Sequence, residues 1–263
     1  MDIVKTKRSV IKPLLISAKA APTLLSVAAV ILLFCVVCTR SVDGRYAARP
    51  LNSFFPDAAL AECVANAMGI DPEDRVTEEF LAEFDGALIC SGIELKSLEG
   101  IGLLKGLTSL TCCKNRVTEL PAEIGSLTRL KTLDCRKAFE LSTVPREIGC
   151  LSSLTSLDLS FTCIECLPDE ICRLSDLTYF SAAVTGIRNL PSDIGDLTSL
   201  RVLDVHLTRL TSLPDRICDI SSLEEVNVSY CPIRKTPECL DGILINEQIT
   251  EQLPIPDRGG PRW

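Results

Sequence analysis

Between residues 104 and 219 one arrangement of aliphatic positions recurs five times, in Leu104–Ser126, Leu127–Cys150, Leu151–Arg173, Leu174–Asp196 and Leu197–Asp219. These segments are 23, 24, 23, 23 and 23 residues long. In Leu151–Arg173 the apolar positions are Leu151, Leu154, Leu157, Leu159, Ile164, Leu167 and Ile171; the same offsets in Leu197–Asp219 give Leu197, Leu200, Leu203, Val205, Leu210, Leu213 and Ile217. A proline follows the sixth position each time, at Pro121, Pro145, Pro168, Pro191, Pro214 and, in a further unit from Ile220, Pro237. One extra residue near Lys137–Ala138 accounts for the longer segment. A degenerate unit comes first, with Leu88, Cys90, Leu95, Leu98 and Ile101 on a 22-residue step to Leu110. A fixed period of this size is the mark of a stacked solenoid. About seven coils follow, with strands starting near Leu88, Leu110, Leu133, Leu157, Phe180, Leu203 and Val226.

The pattern within a unit sets its local structure. Leu-x-Leu alternates, so it predicts a short strand with two inward side chains and the intervening residues facing out. Shortly after the strand the chain turns inward, where a small polar side chain satisfies backbone groups inside the coil. That row reads Ile93, Asn115, Ala138, Thr162, Thr185, Thr208 and Cys231, in which Ile93 and Ala138 mark irregular coils. The Leu-Pro-x-x-Ile segment returns along the opposite side. Proline fixes φ and lacks an N–H, so this stretch is expected to be extended or a brief helical turn. A single coil cannot bury its own apolar edge; stacking makes the core.

Outside the repeats the pattern changes. Residues 20–39 carry no charge, and as a helix they would span about 30 Å, the hydrocarbon thickness of a bilayer. Basic residues dominate the 1–19 lead. The expectation is a signal anchor with the repeats on the extracytoplasmic side, or a signal peptide cleaved near Gly44. A linker covers 40–53 and a helical cap 54–87. In the cap Asp57 and Thr77 are placed to cap two helices, and Leu60, Val64, Ala67 and Met68 fall at helical spacing. Repeats and a C-terminal cap through Leu240, Ile243 and Ile245 occupy 88–245. The proline- and glycine-bearing tail 246–263 is expected to be disordered.

The phrase from Leu151 to Ile171, with Leu154, Leu157, Leu159, Ile164, Leu167 and Pro168 at fixed offsets, resembles the 23-residue leucine-rich repeats of the Ras-group-related class. The resemblance covers about residues 88–240. The block from Phe55 to Gly102 is similar, less specifically, to the N-terminal caps of internalin-like surface repeat proteins. It implies an α/β leucine-rich repeat solenoid with a parallel concave β-sheet, and protein–protein recognition as the activity. Fold alone does not fix function.

Composition sharpens the picture. Aromatics are only 5% of residues against 46% hydrophobic, so the core is built of repeated aliphatic layers. Residues 1–49 carry eight Lys/Arg against two Asp, which leaves −14 of the total −8 charge on the remainder. An acidic folded part argues against nucleic acid, whose phosphates need a basic face. The chain has one histidine, His206, and no phosphate loop, nucleophile elbow or zincin motif, so neither catalysis nor a cofactor or metal is expected. Cys163 and Cys166 form a CxxC across a turn, read as structural, and no second one lies outside the apolar segment that holds Cys35 and Cys38. Of fourteen cysteines, Cys90, Cys112 and Cys135 fall on inward strand positions and are read as buried free thiols, although neighbouring strands lie close enough for disulfides. Cys150, Cys172 and Cys218 share a convex-side position and are the better candidates for pairing in an oxidising compartment. Asn227-Val228-Ser229 is a glycosylation triplet on a strand.

The outward strand positions form the candidate contact face. Asp134, Asp158 and Asp204 share one position in their coils, and like charges so stacked favour a cationic partner surface. Arg136, Tyr179, His206 and Glu225 complete the expected partner-binding set, since aromatic and arginine side chains dominate protein interfaces. The expected function is non-catalytic recognition of a protein ligand, with the membrane contacted through residues 20–39 if they are uncleaved. The alternatives are a structural spacer, or the substrate-recognition part of an effector enzyme.

Overall fold

The computed structural model describes residues 47–234 and 236–245. The expected lead, apolar segment, cleavage region near Gly44 and disordered tail lie outside the described residues. Among the described residues no helix is long and apolar enough to cross a membrane.

The repeats form one eight-stranded parallel sheet in sequence order: β3 (Gly86–Ile89), β4 (Leu107–Thr111), β5 (Thr132–Asp134), β6 (Ser156–Asp158), β7 (Tyr179–Ser181), β8 (Val202–Asp204), β9 (Glu225–Asn227) and β10 (Leu244–Ile245). Seven of these are the expected coil strands; β10 is an eighth, pairing in parallel with β9. The register follows the leucine alignment, with Leu110, Leu133, Leu157, Phe180, Leu203 and Val226 as successive partners. All six are fully buried in one continuous aliphatic core. A one-residue slip would turn every inward side chain to water, so burial pins the register.

Each proline opens the return side as expected. Ile124, Ile148, Ile171 and Ile217 donate their N–H to the carbonyls of Pro121, Pro145, Pro168 and Pro214 at 2.9–3.1 Å, closing short 3₁₀ turns that point isoleucine inward. Neighbouring coils approach closely just after Ile124 and Ile148. A Cβ at Gly149 would sit 2.4 Å from the Glu170 carbonyl of the next coil.

The inward turn is also as expected in its regular coils. Asn115 accepts from the N–H groups of Ile93 and Leu95 at 3.1 and 3.2 Å and donates to the carbonyls of Cys112 and Cys90. Thr162 and Thr185 donate to the carbonyls three residues before them, at 2.8 and 2.7 Å. Ala138 has no such group. There the chain closes a tight turn with its own backbone, Ala138 N–H to Cys135 and Leu141 N–H to Ala138.

The cap comprises β1 (Arg49–Pro50) paired antiparallel with β2 (Arg75–Val76), and two helices, α1 (Ala58–Met68) and α2 (Glu78–Ala82). Thr77 caps α2 through Phe80 N–H. Asp57 caps α1 through Ala59 N–H and also accepts from the N–H groups of Lys96 and Ser97, at 2.8 and 3.0 Å, tying the cap to the first coil. Burial pushes the Asp57 carboxyl up, but these bonds outweigh it and hold it below its ordinary range. Gly100, at φ +92°, lies where a Cβ would meet the Phe54 carbonyl at 2.4 Å. One expectation for α1 is corrected. Ala67 is exposed, and the inward face is Leu60, Ala61, Val64 and Ala65, because the stripe advances by four and one rather than by seven.

The cysteine reading is corrected in two places. Cys90 is not a free thiol; it is bonded to Cys63 of α1, with Cα atoms 6.0 Å apart. The first coil has no preceding coil, so its inward cysteine faces the cap helix instead. Cys218 pairs with Cys239, Cα atoms 5.8 Å apart. Cys172, expected on an accessible convex position, is buried and free. Burial, with Asp193 and Asp196 nearby, pushes its thiol up to about 12. Cys112 and Cys135 are free and buried, with sulfurs 3.2 Å apart.

Candidate interaction face

The outward positions of the strands stack into two rows held by the sheet register. One runs Thr132, Ser156, Tyr179, Val202 and Glu225; the other Asp134, Asp158, Ser181, Asp204 and Asn227. The second row has a local cause. The N–H groups of Cys135, Leu159, Ala182 and Val205 donate to the next coil's carbonyls at 2.8–2.9 Å. The N–H one residue further on points away from that neighbour and needs another acceptor. The row supplies it: Asp134 to Arg136 N–H at 3.1 Å, Asp158 to Ser160 at 3.0 Å, Asp204 to His206 at 3.3 Å and Asn227 to Ser229 at 3.1 Å. Ser181 accepts from Ala183 at 3.5 Å. Short acceptor side chains recur here because a backbone donor demands one.

Three of the expected contact residues meet in one cluster. The Arg136 guanidinium donates to Asp134 at 2.8 Å and reaches Asp158 at 3.3 Å. Its side chain is 54% exposed, whereas those of Asp134 and Asp158 are 14% and 12%. Asp158 also accepts from the Ser160 hydroxyl at 2.6 Å. The two carboxyls titrate in opposite directions. Burial pushes Asp134 up, but hydrogen bonds from Arg136 and the Cys113 thiol outweigh it, and its carboxyl lies below the ordinary value. For Asp158 burial prevails over its bonds to Ser160, helped by the charge of Asp134, and its carboxyl lies above.

Asp204 and His206 form a second pair, Nδ1 to Oδ1 2.7 Å apart. Tyr179 stands half-buried between the two groups. Burial and the charge of Asp158 push its hydroxyl up. Glu225 is exposed at the far end of the first row. Cys113 is a further member that the sequence did not single out. It donates to Asp134 at 3.0 Å, and burial and Asp134 push its thiol up to about 12, so it is no thiolate near neutral pH. The signal for it was its place one step beyond Thr111 on an outward row.

Among the described residues no group of three or more His, Cys, Asp or Glu is arranged to hold a metal ion. An open groove of about 540 Å³ lies between the cap and the first coil, lined by Pro56, Asp57, Ile93, Lys96, Ser97 and Glu99 among others; none of the expected contact residues lines it.

The model of the Leucine Rich Repeat family matches residues 153–174, which span the β6 strand and the 3₁₀ turn of the fourth coil. The match agrees with the parallel ladder. The chain is a leucine-rich repeat protein. Internalin J of Listeria monocytogenes is 38% identical over 69 residues, which is 26% of this chain and 7% of that relative. The chain thus spans a small fraction of the curated relative it matches. Among solved leucine-rich repeat structures, internalin C2 of Listeria monocytogenes superposes with a TM-score of 0.57 at 22% identity, over 79% of this chain and all of that one. This share is larger than the repeats alone occupy, so the likeness of fold extends into the cap. A leucine-rich repeat protein of Leptospira interrogans superposes with a TM-score of 0.54 at 29% identity, over 59% of this chain and 40% of that one.

Proposed function

We propose that this leucine-rich repeat chain is a non-catalytic recognition module that binds a protein ligand through the outward, concave face of its sheet. The observation that carries this reading is the fixed geometry of the face. Arg136, Tyr179 and His206 project from the third, fifth and sixth coils of a hydrogen-bonded ladder, and Asp134, Asp158 and Asp204 hold the Arg136 and His206 side chains and the local backbone in place. Groups already held in one conformation lose little entropy on binding. The same self-satisfaction of charges favours one second reading, a spacer whose acidic row serves only the backbone.

The repeats act on the extracytoplasmic side, tethered through residues 20–39 or released by cleavage near Gly44. Two disulfides in the described chain support an oxidising compartment. The test is site-specific photo-crosslinking, with a benzophenone side chain replacing Tyr179 on the outward face or Arg173 on the return side. A discrete crosslinked protein from the Tyr179 position alone supports the reading. Identical patterns from both positions contradict it.

A further inference from the structure

Every coil passes through the left-handed backbone region at the residue before the inward turn. The series is Gly92, Lys114, Lys137, Phe161, Val184, Leu207 and Tyr230, with φ between +53° and +67°. The turn itself explains the conformation, since it aims the next residue at the carbonyls inside the coil. It does not explain the residue types. Glycine or asparagine adopts this region at little cost, whereas other side chains are strained there by about 1–2 kcal/mol each, and a β-branched valine is a true outlier. Four consecutive coils nevertheless place Phe, Val, Leu and Tyr at this point, where Leu207 is 41% exposed and the others are partly buried.

These residues are held in register. The N–H groups of Lys114, Lys137, Phe161, Val184 and Leu207 each donate to the next coil, to the carbonyls of Arg136, Ser160, Ala183, His206 and Ser229, at 2.8–3.0 Å. Coil-to-coil spacing is about 4.8 Å, so from Lys114 to Tyr230 they make a strip of about 24 Å, the reach of an extended segment of about seven residues. Its two ends differ. The far end is apolar. The near end carries Lys114 and Lys137, both exposed; the adjacent Arg116 and Arg136 are already paired with Glu140 and Asp134. Lys137 lies 5.5 Å from the Phe161 ring, where the cationic and apolar parts join. On an acidic folded chain, two exposed lysines without a carboxylate partner among the described ion pairs form a local site for negative charge.

We propose that this edge of the solenoid is a docking strip for a protein segment bearing acidic residues next to apolar ones, its carboxylates meeting Lys114 and Lys137 and its apolar side chains packing on Phe161, Val184, Leu207 and Tyr230. It is a surface separate from the aspartate row, and it specifies the chemistry of a partner that the concave face leaves open. Two unfavourable choices, strain and exposed apolar area, coincide on one line and find a common use there.

The probe is a fluorescent octapeptide of two glutamates followed by alternating leucine and phenylalanine, measured by anisotropy against the full chain. Binding is expected in the micromolar range, weakened at least fivefold by Leu207→Asn and by Lys137→Glu. Tyr179→Ala on the concave face should leave it unchanged, which separates this strip from the reading of that face. Asparagine suits the left-handed region, so Leu207→Asn should melt higher than the parent while binding less. A higher melting temperature with unchanged peptide affinity overturns the proposal. So does absence of binding to the parent. Self-association that Leu207→Asn abolishes, seen by sedimentation, would also overturn it and assign the strip to a second copy of the chain.

Discussion

Arg136 of the third coil sits 3.3 Å from Asp158 of the fourth while its guanidinium holds Asp134 at 2.8 Å, so one exposed cation bridges two carboxylates of opposite titration behaviour. Asp134 is stabilised as a carboxylate. Asp158 is the more buried of the two, and burial weighs against its charge.

Asp158→Asn is therefore expected to be neutral or stabilising near pH 7, because asparagine keeps an acceptor for Ser160, as Asn227 does for Ser229. Asp158→Ala removes that acceptor and should cost about 1–3 kcal/mol. The pH dependence has a definite sign. A carboxyl raised in the folded state binds its proton more tightly there than in the unfolded chain. Its contribution to stability is present at low pH and lost as pH rises through the folded value. The advantage of Asp158→Asn over the parent should then shrink as pH falls from about 7 towards the ordinary carboxylate range. Thermal melts across that range check it; an advantage that grows in acid refutes the assignment.

Asn115 serves four backbone groups at once, two N–H and two carbonyl. Asn115→Ala strands several buried partners and should destabilise by about 3 kcal/mol. Thr208→Val, which removes one hydroxyl facing Cys231, should cost about 1 kcal/mol. Urea denaturation of the two variants gives the comparison.

Joining α1 to the first coil, Cys63–Cys90 closes a separation of 27 residues. Cys63→Ser with Cys90→Ser should lower stability by about 2–4 kcal/mol. Alkylation of the unfolded, unreduced protein should leave Cys63, Cys90, Cys218 and Cys239 unlabelled and Cys112, Cys135 and Cys172 labelled, as read by peptide mass.

Asp57 caps α1 through Ala59 N–H and ties the cap to the repeats through the N–H groups of Lys96 and Ser97, and its carboxyl is held low. A lowered carboxyl contributes stability above its unfolded value, lost as pH falls through its folded one. Asp57→Ala should cost about 1–2 kcal/mol near neutral pH and progressively less in acid. Melting curves of parent and variant should converge as pH is lowered.

The strands, their register, the proline turns and both helix caps were legible because each rests on a periodic or local signal: leucine spacing, Pro121 and its equivalents, Asp57, Thr77. Three features were not. Cys90 pairs with Cys63 through the docking of a helix on the first coil, a contact no repeat period encodes. Aspartates at 134, 158 and 204 were read as surface charge, because the unpaired N–H two residues on shows only once the ladder is built. The positive φ of Phe161, Val184, Leu207 and Tyr230 is hidden because the usual sign, a glycine or asparagine, is missing at that position.

The account rests on coils that bury their aliphatic edges only against one another, and coil deletion tests this most directly. Removing the 23 residues from Leu174 to Asp196 brings the Leu157 layer against the Leu203 layer with the register intact. Removing the first half of that unit leaves the remainder out of phase. Equilibrium urea unfolding should show the whole-coil deletion still folding cooperatively with a smaller m-value, in proportion to the lost buried surface, and the half-coil deletion without a cooperative transition. If both deletions unfold with the same midpoint and slope, the coils do not form a single interior.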